Sequence, residues 1–281
     1  MAKKKKDEEN AAEEQEPKKP KKQTFKRFKV NFWRTRLHSE ELGPYQAVKY
    51  QAKTNYFSKS YDIEGIIEED GEKKYIIAFN KEDWEENPEN EKELNLRIFT
   101  IMEEGMQVGS GGNFHGGFEL SFTHSLIQSY EIKHPAAVFF VQLPRSKFLT
   151  KIVKSYRLMG TRWNWPLLPT KDGDKLQLVT AKGKVGMGKD YDINIGKKTI
   201  AHIDGQPIQK EFEIEIYDED YAKDVEFCKL LILFGCICNF MKDVEKIVKK
   251  RYKLMKKTGT SDYKPSYKEM DLFKNPRMVR K

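Results

Sequence analysis

One apolar run, residues 230–241, most constrains what this chain can fold into. It reads LLILFGCICNFM between Lys229 and Lys242, and no proline occurs between residues 220 and 255. A membrane span needs about 20 apolar residues, whereas runs of about 10–14 are typical of buried core helices. An α-helix that is apolar on all sides must be enclosed by protein. The run therefore predicts a buried helix near the C-terminus and no transmembrane span.

The chain upstream of this run is predicted to be mostly β-strand. From about residue 25 to 217, apolar residues recur at every second position and many are β-branched or aromatic, as in half-buried strands. Residues 60–79 predict a hairpin, because Asp70 and Gly71 supply a positive-φ turn between two apolar arms. Further strand candidates are residues 25–34, 45–57, 94–102, 118–122, 126–132, 137–143, 175–180, 191–195, 199–203 and 212–217.

Three segments depart from the strand pattern. Residues 81–93 are acidic and contain Pro88, which predicts a loop or a short surface helix. Residues 105–117 are rich in glycine and predict a long loop. Residues 147–159 have an apolar stripe that fits a helix, but an extended segment stays an open alternative.

Strands and helix together predict the fold class. A set of short antiparallel strands can remove its unpaired edges by closing into a barrel, and a fully apolar helix needs an apolar sheath. We therefore expect a mainly β (α+β) fold, a closed antiparallel β-barrel around a central apolar C-terminal helix, with disordered basic tails. The expected divisions are a disordered charged tail at residues 1–24, the barrel with its helix at 25–257, and a flexible basic tail at 258–281.

The positive charge is concentrated at the two ends of the chain. The formal net charge is +9, yet residues 1–29 contain eleven Lys and Arg against six Asp and Glu, and residues 242–281 contain fourteen against five. The body between them is mildly acidic, so any attraction for phosphates comes from the ends. Three cysteines without a CxxC pair, and no apolar leader, indicate a reducing compartment. We expect a cytoplasmic protein that can lie at the inner membrane surface.

Residues 190–203, DYDINIGKKTIAHI, form a tyrosine-x-isoleucine strand, a turn, and an x-I-A-x-I strand. An alternating strand at 211–217 and an acidic link at 218–224 then lead into the apolar run. Over residues 185–245 this order resembles the tubby-like C-terminal fold, which includes phospholipid scramblases and LURP-one-related proteins. The resemblance implies a barrel threaded by its last helix, and a domain that binds membranes or scaffolds partners. Unlike the small central helix of LURP-one-related members, this one contains Phe227, Phe234 and Phe240, which predicts a wider bore.

Motifs that could support catalysis or bind cofactors are weak in this sequence. Residues 183–190 resemble a phosphate-binding loop, but Asp190 stands where a Mg²⁺-binding hydroxyl is needed. The glycines of residues 109–117 could surround an anion, although a flexible loop is favoured. Five scattered histidines match no metal spacing, and the cysteines are expected to be buried thiols. The cluster at residues 163–166, with Trp163 and Trp165, is expected to pack in the core or at its rim, with an interfacial or ligand-stacking role as the lesser alternative. We expect no enzyme activity, no cofactor and no metal.

The helix continues beyond the apolar run as a basic extension, which is the candidate binding site. Val244, Ile247, Val248 and Met255 form a narrow apolar stripe, and cations cover the remaining surface. Because lysine meets any phosphate as a point charge, this surface predicts peripheral binding of anionic phospholipid headgroups, with a protein partner as a second possibility. A nucleic-acid-associated or ribosome-associated protein is the alternative. No feature of the sequence indicates an oligomeric state. The candidate residues are Lys242, Lys246, Lys249, Lys250, Arg251, Lys253, Lys256 and Lys257.

Overall fold

In the computed structural model of the chain, twelve antiparallel strands of the described residues close into one barrel. The described residues are 22–32, 62–100, 114–144, 146, 148–156, 160–168, 175–183, 190–205 and 211–271. Each strand pairs with its neighbours along the chain, and the last strand pairs with the first. The strands are β1 (Lys26–Phe32), β2 (Asp62–Glu69), β3 (Glu72–Phe79), β4 (Asn95–Thr100), β5 (Phe114–Leu120), β6 (Val138–Gln142), β7 (Thr150–Ser155), β8 (Arg162–Leu167), β9 (Gln177–Gly183), β10 (Tyr191–Ile195), β11 (Lys198–Gly205) and β12 (Glu211–Ile216).

Helices connect the strands and complete the C-terminal part. A 3₁₀ turn at Glu89–Glu91 follows the first helix. The helices are α1 (Lys81–Glu85), α2 (Phe122–Ile132), α3 (Glu219–Lys223), α4 (Val225–Thr258) and α5 (Tyr267–Asp271). Among the described residues, no helix combines the length and the apolar character that crossing a membrane requires.

The alternation that predicted strands also sets which side chains face the barrel interior. In β12, Phe212, Ile214 and Ile216 are buried, whereas the glutamates between them face outward, as the two-residue period of a strand requires. The predicted hairpin is confirmed, since Asp70 (φ 51°) and Gly71 (φ 92°) form the turn between β2 and β3.

The predicted enclosed helix is confirmed in α4. The side chain of Asp224 begins it by accepting hydrogen bonds from two backbone N–H groups of the first turn, an N-cap arrangement. Phe234 and Phe240 are fully buried and contact rings from opposite sides of the barrel. Phe234 meets the aromatic rings of Trp163, Trp165 and Tyr191, and Phe240 meets those of Phe32, Phe79, Trp84 and Phe118. The core-packing interpretation of the two tryptophans is thus confirmed.

One glycine permits the helix to pass close to the wall. A Cβ atom at Gly235 would lie 2.1 Å from Cε2 of Phe212 on β12. No real side chain tolerates that distance, so the ring of Phe212 occupies the space that glycine leaves. The barrel interior is therefore wide enough for phenylalanine side chains at some levels of the helix, whereas at the level of Gly235 it leaves no room for any side chain.

The secondary structure differs from the prediction at residues 126–132, and it decides between the helical and extended alternatives for part of residues 147–159. The strand predicted at residues 126–132 is wrong, because these residues belong to α2. Ser121 caps that helix by accepting a hydrogen bond from the N–H of His124, and the hydroxyls of Ser125 and Ser129 bond to backbone groups. Residues 150–155 form β7, so the extended alternative holds there. The strand predicted at 45–57 and the predicted tail over residues 1–21 lie outside the described residues.

Candidate anion-binding surface on the central helix

The C-terminal half of α4 extends beyond the apolar run and packs beside α2. On its inner face Val244, Ile247, Val248 and Tyr252 are buried. Their spacing of three to four residues puts them on one side of a helix with 3.6 residues per turn. The opposite side is therefore exposed along the whole extension.

Six exposed lysines occupy that opposite side, and we call them the lysine stripe. Successive members lie three or four residues apart, with Lys257 beside the last of them, so they share one helix face. At 1.5 Å per residue, the stripe runs for about 20 Å along the helix. Its members are Lys242, Lys246, Lys249, Lys253, Lys256 and Lys257.

The positive charge of the stripe is not neutralised locally. Within the described part of the chain, none of its six lysines forms an ion pair with a carboxylate. Glu245, one of the two acids in this stretch, pairs instead with Lys154 of β7. Cations at the C-terminal end of a helix are stabilised by the backbone dipoles, so the positions of Lys256 and Lys257 also favour α4 itself.

Lys250 and Arg251, the remaining two candidates, are engaged with the body of the protein. Lys250 Nζ lies 2.8 Å from the carboxylate of Glu89. Arg251 is only 2 % exposed, so its prediction as a headgroup-binding residue is wrong. It lies seven residues after Val244 and therefore points inward with the buried side chains.

The guanidinium group of Arg251 lies between two aromatic rings. Its Cζ atom is 4.0 Å from the ring centre of Phe122 and 4.3 Å from that of Tyr263, which gives a cation–π contact on each face. One guanidinium nitrogen donates to the backbone oxygen of Glu89. Burial lowers the pKa of Arg251 from its ordinary value, and nearby Tyr263 and Asp262 oppose this shift. Arg251 thus joins α4, α2 and the C-terminal segment.

The C-terminal segment, residues 259–271, contacts the rest of the domain through a few side chains, above all Tyr263 and Glu269. Glu269 is buried, and its carboxylate accepts hydrogen bonds from Ser121 Oγ at 2.6 Å and from the backbone N of Thr123 at 2.7 Å. Tyr263 donates to the same carboxylate. The segment expected to be a flexible tail from residue 258 onward is thus in contact with α2 and α4 at Tyr263 and Glu269. The sequence did not predict the structural role of Glu269, because its partners are 146–148 positions away. The available signal was the presence of an aromatic residue, Tyr263, and an acid, Glu269, in an otherwise basic segment.

Within the described ranges, the other sequence candidates do not assemble into a second site. Cys228, Cys236 and Cys238 are buried thiols, as predicted, and form no disulfide among the described residues. Burial raises the pKa of Cys228 to about 12, which disfavours a reactive thiolate. No group of three or more metal-binding side chains occurs among the described residues. The glycine-rich segment is described only from residue 114, where β5 begins. Residues 184–189 of the near phosphate loop lie outside the described ranges.

The lysine stripe is therefore the surface that the described residues best equip to bind a ligand. It is exposed, it carries one sign of charge, and it lies on a helix whose other half is anchored in the barrel. Comparison with protein-family models, curated proteins and solved structures finds no match to this chain.

Proposed function

We propose that this chain is a non-enzymatic, tubby-like domain that binds anionic phospholipid membranes peripherally through the lysine stripe. The single observation that carries the proposal is the alignment, on one exposed helix face, of six lysines that form no ion pair with any described residue. A planar array of phosphate and carboxylate headgroups can meet all six at once, because they share one line along the helix surface.

The expected strength of this attachment follows from the number of cations. Each lysine near an anionic membrane contributes about 1 kcal/mol, and the contribution falls off within a Debye length of about 10 Å. Six lysines together give reversible binding that salt weakens. Leu254 is 38 % exposed beside the stripe and adds a small apolar contact at the headgroup level. Anionic lipids face the cytoplasm, so we place the protein at the inner membrane surface.

The family assignment is part of the proposal and is supported by the order of elements. The motif that resembles tubby-like proteins forms β10 and β11, and the acidic link after β12 leads through α3 into α4. A closed barrel threaded by its last long helix is the architecture that the resemblance implies. Members of such a family bind or scaffold, which agrees with a site made of charge alone.

Nucleic acid is the second candidate for the same lysines. A base-stacking contribution would require exposed aromatic side chains among the cations. Between residues 242 and 258 the one aromatic residue is Tyr252, and it is buried. The stripe therefore favours a ligand recognised by charge alone, and the lipid surface is the better candidate.

Vesicle sedimentation with two matched variants tests the proposal. The first variant replaces Lys246, Lys249 and Lys253 with alanine. The control replaces three exposed lysines elsewhere, Lys175, Lys197 and Lys223, and so removes the same net charge. We expect phosphatidylserine vesicles to bind the wild type at low salt, with affinity lowered roughly 100-fold in the stripe variant and little in the control.

Two outcomes would reject the lipid proposal. Equal losses in both variants would show that net charge, rather than the stripe, determines binding. A wild-type protein that ignores the vesicles at low salt yet shifts RNA in a gel, with the shift lost in the stripe variant, would assign the lysines to nucleic acid.

A further inference from the structure

Two exposed threonines follow the lysine stripe at the end of α4. Gly259 ends the helix with φ 75°, and its N–H donates to the carbonyl of Met255 at 2.8 Å, which is the usual left-handed C-cap. Thr258 is the last helical residue and Thr260 lies just beyond the cap, and both are exposed. The charged residues closest in sequence to these two threonines are Lys256, Lys257 and Asp262.

The two hydroxyl groups have different backbone surroundings. Thr258 Oγ1 donates to the carbonyl of Leu254 at 2.9 Å, so its hydroxyl is tied to the helix. The two side-chain oxygens of Thr258 and Thr260 are 3.2 Å apart. Thr260 lies outside helical backbone, and its hydroxyl has no partner beyond Thr258 among the described residues. Thr260 thus lies beyond the last turn of α4, whereas Thr258 lies within that turn.

We infer that Thr260 is a phosphorylation site for a serine/threonine kinase that selects basic substrates, and that the phosphoryl group switches off the lysine stripe. Such kinases hold the acceptor in an extended segment and recognise cations on its N-terminal side with acidic groups. Lys256 and Lys257 stand four and three residues before Thr260, in the last turn of α4. A kinase that binds them in an extended conformation therefore has to open that single turn. The modification stands on these residues alone, whereas its consequence for membranes rests on the proposed function.

The chemical step is an ordinary phosphoryl transfer from ATP. The Thr260 oxygen attacks the γ-phosphorus, and a new oxygen–phosphorus bond forms as the bond from the γ-phosphorus to the β–γ bridging oxygen breaks. ADP leaves with that oxygen, and the hydroxyl proton passes to the catalytic aspartate of the kinase.

Two physical effects of the phosphate act in the same direction. It adds a charge of about −1.5 to −2 next to Lys256 and Lys257, which offsets roughly two of the six charges of the stripe. An anion at the C-terminal end of a helix is also unfavourable, because the exposed carbonyls there are partially negative. Together they predict binding to anionic vesicles that is at least about tenfold weaker.

The site is tested first without any membrane. Full-length protein is incubated with MgATP and the lipid-independent catalytic fragment of protein kinase C, and peptide mass spectrometry locates the phosphate. We expect phosphate on Thr260 in the wild type and in Thr258→Ala, and none at this segment in Thr260→Ala. Wild-type protein without phosphate at Thr260 overturns the inference, and so does phosphate confined to Thr258.

The switch is tested next with phosphatidylserine vesicles. Phosphorylated protein and Thr260→Glu are compared with unmodified protein and with Thr260→Gln, which has nearly the same size without the charge. Weaker binding of the first two supports the switch, and equal binding of all four overturns it while leaving the proposed function intact. If unmodified protein does not bind vesicles, the proposed function fails, and the mass spectrum alone decides whether Thr260 is a kinase site.

Discussion

The carboxylate of Glu269 accepts a 2.6 Å hydrogen bond from the hydroxyl of Ser121, the residue that caps α2. This contact joins the C-terminal segment to a helix 148 positions earlier in the chain. Tyr263, on the same segment, contacts Arg251 of α4 and the ring of Phe122. The outer half of α4 is therefore held in place from two sides, by α2 and by residues that follow it.

Replacing Glu269 should release the C-terminal segment. Glu269→Ala removes an acceptor of buried donors, and hydrogen bonds to charged groups contribute about 1.5–3 kcal/mol, so we expect a comparable fall in the free energy of unfolding. Glu269→Gln keeps one acceptor oxygen and should lose less. Amide hydrogen exchange gives a local measure, because the N–H of Thr123 donates to Glu269 and should exchange faster in the alanine variant. Unchanged protection of Thr123 would contradict the contact.

A substitution at Gly235 tests how tightly the barrel encloses its helix. Gly235→Ala places a methyl group 2.1 Å from the ring of Phe212, and overpacking of this kind costs about 1–3 kcal/mol. Helix propensity alone would favour alanine by up to about 1 kcal/mol, so the two effects have opposite signs. Urea denaturation should show a net loss of stability.

The matched control for that change is a double variant. Phe212→Leu replaces the ring that the new methyl group meets with a smaller side chain. Combining this change with Gly235→Ala should therefore restore part of the stability that Gly235→Ala loses. The relevant quantity is the coupling free energy of the double-mutant cycle, and its expected sign is favourable. Additive losses would show that the helix does not approach β12 at this level.

Local signals predicted much of this fold. The apolar run, the alternating strands and the Asp70–Gly71 turn each depend on neighbours in sequence, and together they predict a barrel around a helix. The α2 segment was missed because Leu126 and Ile132 suggested a strand, whereas Ser121, Ser125 and Ser129 stabilise a helix through contacts made only after folding.

The lysine stripe was predictable from helical spacing, but the role of Arg251 was not recognised. Charge alone places Arg251 with the seven lysines, whereas its seven-residue spacing from Val244 puts it on the buried face. The contacts that bury it come from Phe122 and Tyr263. Partners so distant in sequence leave no periodic signal, so helical spacing could place Arg251 on the inner face but could not show which rings enclose it.

His115 should make stability depend on pH in the acid range. Burial, with a smaller contribution from the positive charge of Lys229, lowers the pKa of His115 from 6.5 to about 4. On acidification, His115 therefore takes up a proton in the unfolded chain before it does so in the folded chain. The contribution of neutral His115 to the free energy of unfolding is complete above about pH 6.5 and is lost as the pH falls towards 4.

The measurement is the difference between wild type and His115→Gln. Carboxylates also titrate in this range, but they do so in both proteins and cancel in the difference. Urea denaturation at neutral pH and near pH 5 should show a smaller loss of stability on acidification in the variant. The same loss in both proteins would mean that His115 is solvated rather than stacked on Tyr75, whose ring centre is 4.1 Å away.

Substitutions at Lys249 and at the nearby Arg251 should separate effects on membrane binding from effects on the free energy of unfolding. Lys249 is exposed and unpaired in the described residues, so Lys249→Ala should change the free energy of unfolding by less than about 0.5 kcal/mol. It should weaken binding to phosphatidylserine vesicles about fivefold, as expected for one cation near the surface. Arg251→Met keeps the length of the side chain but loses two cation–π contacts and the hydrogen bond to Glu89.

The expected cost of Arg251→Met is about 2–4 kcal/mol, since a desolvated cation–π contact alone contributes about 2 kcal/mol. At temperatures where this variant remains folded by circular dichroism, its affinity for vesicles should stay near that of the wild type, because the buried guanidinium never faces the membrane. Arg251→Lys keeps the charge without the planar group and should recover only part of the stability. An Arg251→Met protein that is as stable as wild type but binds vesicles as weakly as Lys249→Ala would place Arg251 on the surface and extend the lysine stripe to it.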